Sequence, residues 1–134
     1  MANKGFSLVE LLIVVVIIGI LVIISVPILR ESKLAAENTA AIATLRFLSN
    51  AEEVYYSTTA GSKTYGTFVQ MHAKGYLDDR FSSGSATFDG FTFTAEIDTT
   101  SFTFWARPIE DVNPTYYITN SYVIMFENGT PVSR

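Results

Sequence analysis

Residues 4–10 read KGFSLVE and lead directly into an apolar stretch at residues 11–29, in which Leu, Ile and Val dominate. As an α-helix these nineteen residues span about 28 Å at about 1.5 Å per residue, which is close to the ~30 Å hydrocarbon core of a bilayer. Charged residues follow the stretch immediately. The sequence therefore predicts one membrane-spanning helix over residues 6–29.

A secretory signal peptide is the alternative interpretation, with Lys4 in its basic region and the apolar stretch as its hydrophobic centre. The stretch is longer than such a region usually is, and it carries Glu10 near its start and Pro27 among the plausible cleavage positions. These features favour a helix that is retained. Its orientation stays open, because Lys4 on one side faces Arg30 and Lys33 on the other.

Residues 5–12, with the sequence GFSLVELL, resemble the class III signal of type IV pilins and of the related pseudopilins of type II secretion. The resemblance implies that a prepilin peptidase cuts between Gly5 and Phe6 and methylates the new amino group of Phe6. The five-residue leader and the Phe after the cut resemble the type IVa subgroup. Glu10 then takes the fifth mature position and Pro27 the twenty-second, where the family places its assembly glutamate and its helix-bending proline.

Glu10 lies at the edge of the membrane-spanning stretch, where an unpaired carboxylate costs about 3 kcal/mol if it sits deep. Before cleavage the nitrogen of Phe6 is an uncharged amide and offers no ion pair. After cleavage it is an amine with an unperturbed pKa of about 8, and it stays basic when methylated. We expect this amine to pair with Glu10 of its own helix or of a neighbouring subunit as the subunit leaves lipid for an apolar filament core. A Glu10 side chain that merely extends to the membrane interface is the alternative.

Gly19 and Pro27 interrupt the apolar stretch. Proline removes one backbone hydrogen bond and clashes with the preceding turn, and glycine has a low helix propensity. The family resemblance implies that the helix loosens between these residues when it packs into a filament. An ordinary kink in a membrane helix, which tolerates both residue types, is the alternative.

Helical spacing of apolar residues continues beyond residue 30, and we expect one helix from about residue 6 to about residue 57. Its second half is amphipathic and suits packing against its own head on one side and neighbouring helices on the other. Glu52 falls within the apolar arc, and we expect it at the margin of the packed region; a contact with a partner is the alternative. The apolar side carries Leu34, Ala41, Leu45, Leu48 and Tyr55.

Residues 58–134 predict a small head that follows the helix. Its first part, to residue 89, is rich in Gly, Ser and Thr and predicts an irregular connection with a short helix at about residues 67–74. Alternating aromatic and polar residues then predict an antiparallel hairpin over residues 91–108, and residues 122–127 predict a third strand. The buried face of the hairpin is predicted to carry Phe91, Phe93, Phe102 and Phe104, with Trp105 facing outward.

The predicted fold is α+β and pilin-like, with a long N-terminal helix packed against a small antiparallel sheet. The predicted organisation is a leader at residues 1–5, a helix at residues 6–57 whose part 6–29 is transmembrane, and a globular head at residues 58–134. Residues 128–129, Asn-Gly, predict a tight turn before a short tail at the sheet edge.

Composition excludes several classes of function. The formal net charge is −4 and the basic residues of the head are scattered, so we expect no direct nucleic-acid binding. The chain has no cysteine, and therefore lacks the disulfide that ties down the C-terminal region of many pilins. We expect no metal and no cofactor, because the acidic residues of the head lack the spacing of a calcium loop. With a single histidine, His72, the chain also shows no catalytic constellation, and we expect no enzyme.

The predicted function is that of a structural subunit of a type IV pilus-like filament for adhesion, motility, uptake or secretion. The implied partners are copies of itself, other pilins, prepilin peptidase, an inner-membrane assembly platform and, before assembly, membrane lipid. The implied location is the inner or cytoplasmic membrane with the head outside the cytoplasm, then an extracellular or periplasmic filament. Two alternatives stay open: a pseudopilin of type II secretion, and a membrane-anchored binding module that does not polymerise.

Overall fold

The computed structural model describes residues 5–59 and 63–133. Within them the chain forms helix α1, helix α2, one 3₁₀ turn and five strands. The helices are α1 (Leu8–Thr58) and α2 (Phe68–Ala73), and the 3₁₀ turn is Asp79–Phe81. The strands are β1 (Ser85–Phe88), β2 (Phe91–Ile97), β3 (Phe102–Pro108), β4 (Tyr116–Thr119) and β5 (Ile124–Phe126). The chain divides into two compact units, residues 1–35 and residues 36–134.

The first unit contains the apolar part of α1. Its eighteen Leu, Ile and Val side chains between residues 8 and 29 are all exposed, from 47% for Val14 to 82% for Leu8. The helix is long and apolar enough to cross a membrane by length and composition. Helical geometry satisfies the backbone groups internally, so the side chains alone decide which solvent this segment prefers.

The second unit packs the remainder of α1 against one face of the sheet. Ala41, Leu45 and Leu48 are buried on the helix side, and Phe93 and Phe104 are buried on the sheet side. This confirms the predicted α+β arrangement, in which a long N-terminal helix packs on a small antiparallel sheet. Asn113, from the loop between β3 and β4, donates to Glu37 at 3.2 Å and accepts from Asn38 at 2.9 Å, which ties that loop to the helix.

The five strands form an antiparallel sheet in the order β1-β2-β3-β4-β5. The predicted hairpin is confirmed as β2 and β3, in which Thr94 faces Trp105 and Ala95 faces Phe104. Successive side chains of a strand point to opposite faces, and so the aromatic residues collect on the helix side. The four Phe side chains that were predicted to be inward are completely buried: Phe91, Phe93, Phe102 and Phe104.

Two strands were not predicted. β1 was assigned to an irregular connection because its four residues contain one large apolar side chain at the end of a Ser- and Gly-rich stretch. It pairs with β2 through a two-residue turn in which Asp89 and Gly90 both have positive φ, 51° and 78°. Such turns match the twist of a hairpin and favour Asp-Gly, which was the available signal. β4 lies in what was predicted as a loop.

The predicted strand at residues 122–127 is too long. Tyr122 has φ 58° and belongs to the turn after β4, so that β5 begins only at Ile124. A left-handed backbone conformation is incompatible with an extended strand, and the aromatic, β-branched character of residues 122–124 concealed it. The predicted edge position of the tail agrees with a bridge between Pro131 and Met125.

The short helix predicted at residues 67–74 is confirmed as α2. Thr67 is its N-cap, and the Thr67 hydroxyl accepts from the backbone N–H of Gln70 at 3.3 Å. The Gln70 side chain accepts in return from the backbone N–H of Thr67 at 2.9 Å, which completes a capping box. The helix thereby begins at Phe68, whose side chain is buried in the core.

The alternation on β3 predicts unequal effects of two neighbouring substitutions. We expect Phe104→Ala to lower the free energy of unfolding by about 3–5 kcal/mol, because it removes a fully buried ring and leaves a cavity. The control Thr103→Ala lies on the other face of the same strand and should cost less than about 1 kcal/mol. Denaturant unfolding of the full chain in detergent measures both, and equal losses would contradict the assigned register.

Candidate functional site

The first turn of α1 is closed by a partial capping box formed by Ser7 and Glu10, in which the Ser7 hydroxyl binds the N–H of Val9 in place of that of Glu10. The backbone N–H of Ser7 donates to Oε2 of Glu10 at 2.9 Å, and the Ser7 hydroxyl accepts from the backbone N–H of Val9 at 3.3 Å. The first α-helical bond follows from the N–H of Leu11 to the carbonyl of Ser7 at 3.2 Å. Two backbone donors that a helix N-terminus leaves unpaired are therefore satisfied by side chains.

This capping box gives Glu10 a local partner that the sequence analysis did not assign. A carboxylate in the first turn also interacts favourably with the positive end of the helix dipole. The signal was present, because a Ser followed three residues later by a Glu before an apolar run is a typical helix start. Ser7 was not predicted as a helix cap because the sequence around it was interpreted only as a processing signal.

Gly5 and Phe6 lie before the helix, outside regular secondary structure. The Phe6 side chain is 78% exposed, and a Cβ added at Gly5 would meet nothing within 4 Å. Peptidases bind their substrates as extended, accessible backbone, which helical residues cannot offer. Both residues of the predicted cleavage site are thus exposed and lie outside the helix.

Gly19 and Pro27 both lie inside α1, which is helical throughout Leu8–Thr58. Between them the Ser25 hydroxyl donates to the backbone carbonyl of Leu21 at 2.7 Å. Such back-bonding slightly weakens and bends a helix, and proline removes a further backbone donor. Gly19, Ser25 and Pro27 thus each weaken the helix within nine residues, although the helix stays intact.

The second unit exposes a heptad strip on α1, which we define by the six residues listed at the end of this paragraph. They recur at spacings of four and three and are exposed or half-buried, with Phe47 at 50% and Val54 at 45%. Residues at this spacing form the buried seam when two helices wind around each other. The heptad strip comprises Ala36, Ala40, Ala43, Phe47, Asn50 and Val54.

Glu52 was expected at the margin of the packed region, and this expectation is wrong. Its side chain is completely buried in the head, where Oε1 accepts from the backbone N–H of Gly66 at 2.5 Å. Burial raises the pKa of Glu52 to about 7, and the hydrogen bond from Gly66 lowers it in part. The apolar periodicity around Glu52 correctly indicated a buried position, whereas its charge suggested a position at the margin.

The remaining polar groups considered from sequence are engaged locally. His72 is hydrogen-bonded to Asp79 at 3.0 Å, and Asp78 binds Arg80 through both carboxylate oxygens, with the shortest contact at 2.6 Å. Among the described residues, no group of three His, Asp or Glu side chains is placed to hold a metal ion. Trp105 lies on the outer sheet face against Tyr117, with ring centroids 4.9 Å apart.

Comparison with known proteins adds one finding to this geometry. Residues 1–26 match the model of the prokaryotic N-terminal methylation motif, which covers the capping box and most of the apolar stretch. The resemblance of the N-terminus to the signal of type IV pilins and pseudopilins is thereby confirmed. The chain carries the features of a pilin- or pseudopilin-like precursor with a transmembrane-type helix, consistent with membrane anchoring. No solved structure matches the chain.

Proposed function

We propose that the chain is the structural subunit of a type IV pilus-like or pseudopilus filament, which polymerises through α1. The observation that carries the proposal is a methylation motif joined to a helix that exposes eighteen aliphatic side chains between residues 8 and 29. In lipid these side chains serve as an anchor, and in a filament they bury one another. The partners are copies of the chain, other pilins and the inner-membrane assembly platform.

Processing supplies the charge that assembly uses. Prepilin peptidase cuts between Gly5 and Phe6, so that residues 1–5 form the leader and Phe6 becomes a methylated amine. The peptide bond between Phe6 and Ser7 survives, and therefore so does the hydrogen bond from Ser7 to Glu10. The new cation thus lies one residue from the amide that already binds the carboxylate, within the same chain or facing a neighbour's Glu10.

Pairing of the two charges lowers the cost of moving the N-terminus from lipid to an apolar filament core. Before cleavage, Glu10 has backbone donors and the helix dipole but no cation from Phe6. The uncleaved subunit therefore stays in the inner or cytoplasmic membrane as a single-pass precursor, with its head outside the cytoplasm. Gly19 and Pro27 bound the segment of the mature helix 6–57 that loosens on packing, and the head 58–134 faces outward.

The heptad strip supports a second contact between subunits. It lies on α1 beside the residues that pack on the head, and its side chains stay exposed or half-buried in the monomer. The small side chains of Ala36, Ala40 and Ala43 allow close approach of a second helix, and Phe47 follows them as a large side chain that such a helix can bury. We assign this strip to packing against the helix of a neighbouring subunit in the filament.

Mass spectrometry of filament subunits tests the processing step. We expect the mature chain to begin at Phe6 and to carry one additional methyl group on its amino nitrogen. Digestion should place that methyl group on the N-terminal peptide. Filaments built from chains that keep residues 1–5 would contradict the proposal.

Glu10→Gln tests the charge separately from the helix cap. The Gln side-chain oxygen still accepts from Ser7, so the capping box is retained and only the negative charge is lost. We expect filament yield to fall at least tenfold in electron micrographs of sheared fractions, with the subunit still inserted in the membrane. The control Glu31→Gln changes an exposed carboxylate of the same helix and should assemble normally. Equal yields for the two variants would indicate that Glu10 serves only as a cap.

Ala43→Glu tests the heptad strip. A buried unpaired charge is costly, so we expect this variant to lose filaments while its thermal unfolding stays close to that of the native chain. Arg46→Glu places the same side chain on the adjacent polar side of α1 and should still assemble. Normal filaments from Ala43→Glu would show that the strip faces water, as in a membrane-anchored module that does not polymerise.

A further inference from the structure

The carboxyl group of Glu52 lies in the head with incomplete hydrogen bonding. Oε1 accepts from Gly66 at 2.5 Å, whereas Oε2 is buried and has no hydrogen-bond partner among the described residues. An ionised carboxylate in such a place lacks both the cation and the additional donors that would offset its lost hydration. A neutral carboxylic acid, which can still accept from Gly66, fits the site at lower cost.

The segment at residues 63–67, which Glu52 contacts, is laid closely onto α1. A Cβ added at Gly66 would lie 2.7 Å from the ring of Tyr55, so that only glycine allows this approach. Tyr65 stacks on Tyr56 with ring centroids 4.9 Å apart and meets the edge of Phe102 at 5.1 Å. Thr67 then caps α2. The bond from Glu52 to Gly66 adds a polar contact to these aromatic contacts.

The ionisable groups that face Glu52 are the hydroxyls of Tyr65 and Tyr122. Burial raises the pKa of both, and the charges of Glu52 and, for Tyr122, of Glu53 raise it further. No cationic side chain in the described ranges contributes to the pKa of Glu52. Tyrosine stays neutral at physiological pH, and so the proton of Glu52 itself is the one that titrates there.

We propose that Glu52 is a pH-sensitive clasp, in which the protonated carboxyl holds the segment 63–67 on α1 and loss of its proton releases that segment. This device resides wholly in the head and does not depend on filament assembly. The released state hydrates the carboxylate and exposes the aromatic attachment. It would make the surface of the head at residues 63–67 responsive to the acidity of the medium outside the cell.

The direction of the effect follows from proton linkage. The pKa of Glu52 is raised from 4.5 to about 7 in the closed head, so the closed state binds more protons than the open state between these values. Closure is therefore favoured in full below pH 4.5 and weakens as the pH rises to about 7, above which the change is complete. Between pH 5 and pH 8 the opening equilibrium should rise on the order of 50-fold.

Hydrogen exchange at the Gly66 amide tests the clasp in the full chain in detergent micelles. Rates are divided by the intrinsic exchange rate at each pH, which leaves the opening equilibrium. We expect the 50-fold rise in the native chain and in the control Glu53→Gln, which changes the adjacent exposed carboxylate. Glu52→Gln should be insensitive to pH. A second control, His72→Gln, removes the single histidine of the chain and should keep the response.

A pH response of Glu52→Gln equal to that of the native chain would overturn the proposal, as would a native chain with no response. Infrared or carbon-13 titration of the native side-chain carboxyls gives a second test that needs no variant. One protonated glutamate should persist at pH 6, where ordinary carboxyls are ionised. Complete ionisation of all carboxyls by pH 6 would overturn the proposal even if Glu52→Gln fails to fold.

Discussion

The exposed aliphatic surface at the start of α1 is the constraint on which the rest of the molecule depends. Complete burial of a Leu, Ile or Val side chain contributes about 1.5–3 kcal/mol, and eighteen such side chains lie between residues 8 and 29. Their transfer out of water therefore involves tens of kcal/mol, several times the 5–15 kcal/mol that holds a typical domain together. A water-exposed monomer cannot offset this term by any adjustment of its head. Lipid or a polymer must cover the helix, and in the proposed function the charges at its N-terminus decide between them.

The role proposed for Glu10 depends on this apolar surface. The hydrogen bond from Ser7 stabilises the carboxylate at the helix start, so the precursor is not left with a wholly unsatisfied acid. A single backbone donor and a helix dipole stabilise a charge by less than a close cation does in an apolar medium. In the proposed function, cleavage adds that cation without disturbing the cap, because Ser7 keeps its amide. The same carboxylate can thus be tolerated in the membrane and favoured in a filament.

Periodicity in the sequence was sufficient for the long helix, the β2–β3 hairpin and the buried Phe face, because each depends on which side of an element is apolar. It failed at β1, where one Phe in four residues gives no alternation, and at Tyr122, where a left-handed turn interrupts a strand-like sequence. At the candidate site, Glu10 was recognisable from the motif, whereas its bond to Ser7 required attention to helix capping. The partner of Glu52 could not be predicted, since Gly66 lies fourteen residues away and contacts it through the backbone.

Glu10 and Glu52, both in α1, show how the environment of a glutamate decides its chemical role. Glu10 is exposed at the helix N-terminus and accepts from the backbone N–H of Ser7 there. Glu52 is six residues from the end of α1 and is completely buried, where the neutral acid is favoured. Both accept one backbone N–H, so hydrogen bonding alone does not distinguish them. Their hydration does distinguish them. The exposed Glu10 is sensitive to a nearby cation, whereas the buried Glu52 is sensitive to the proton concentration.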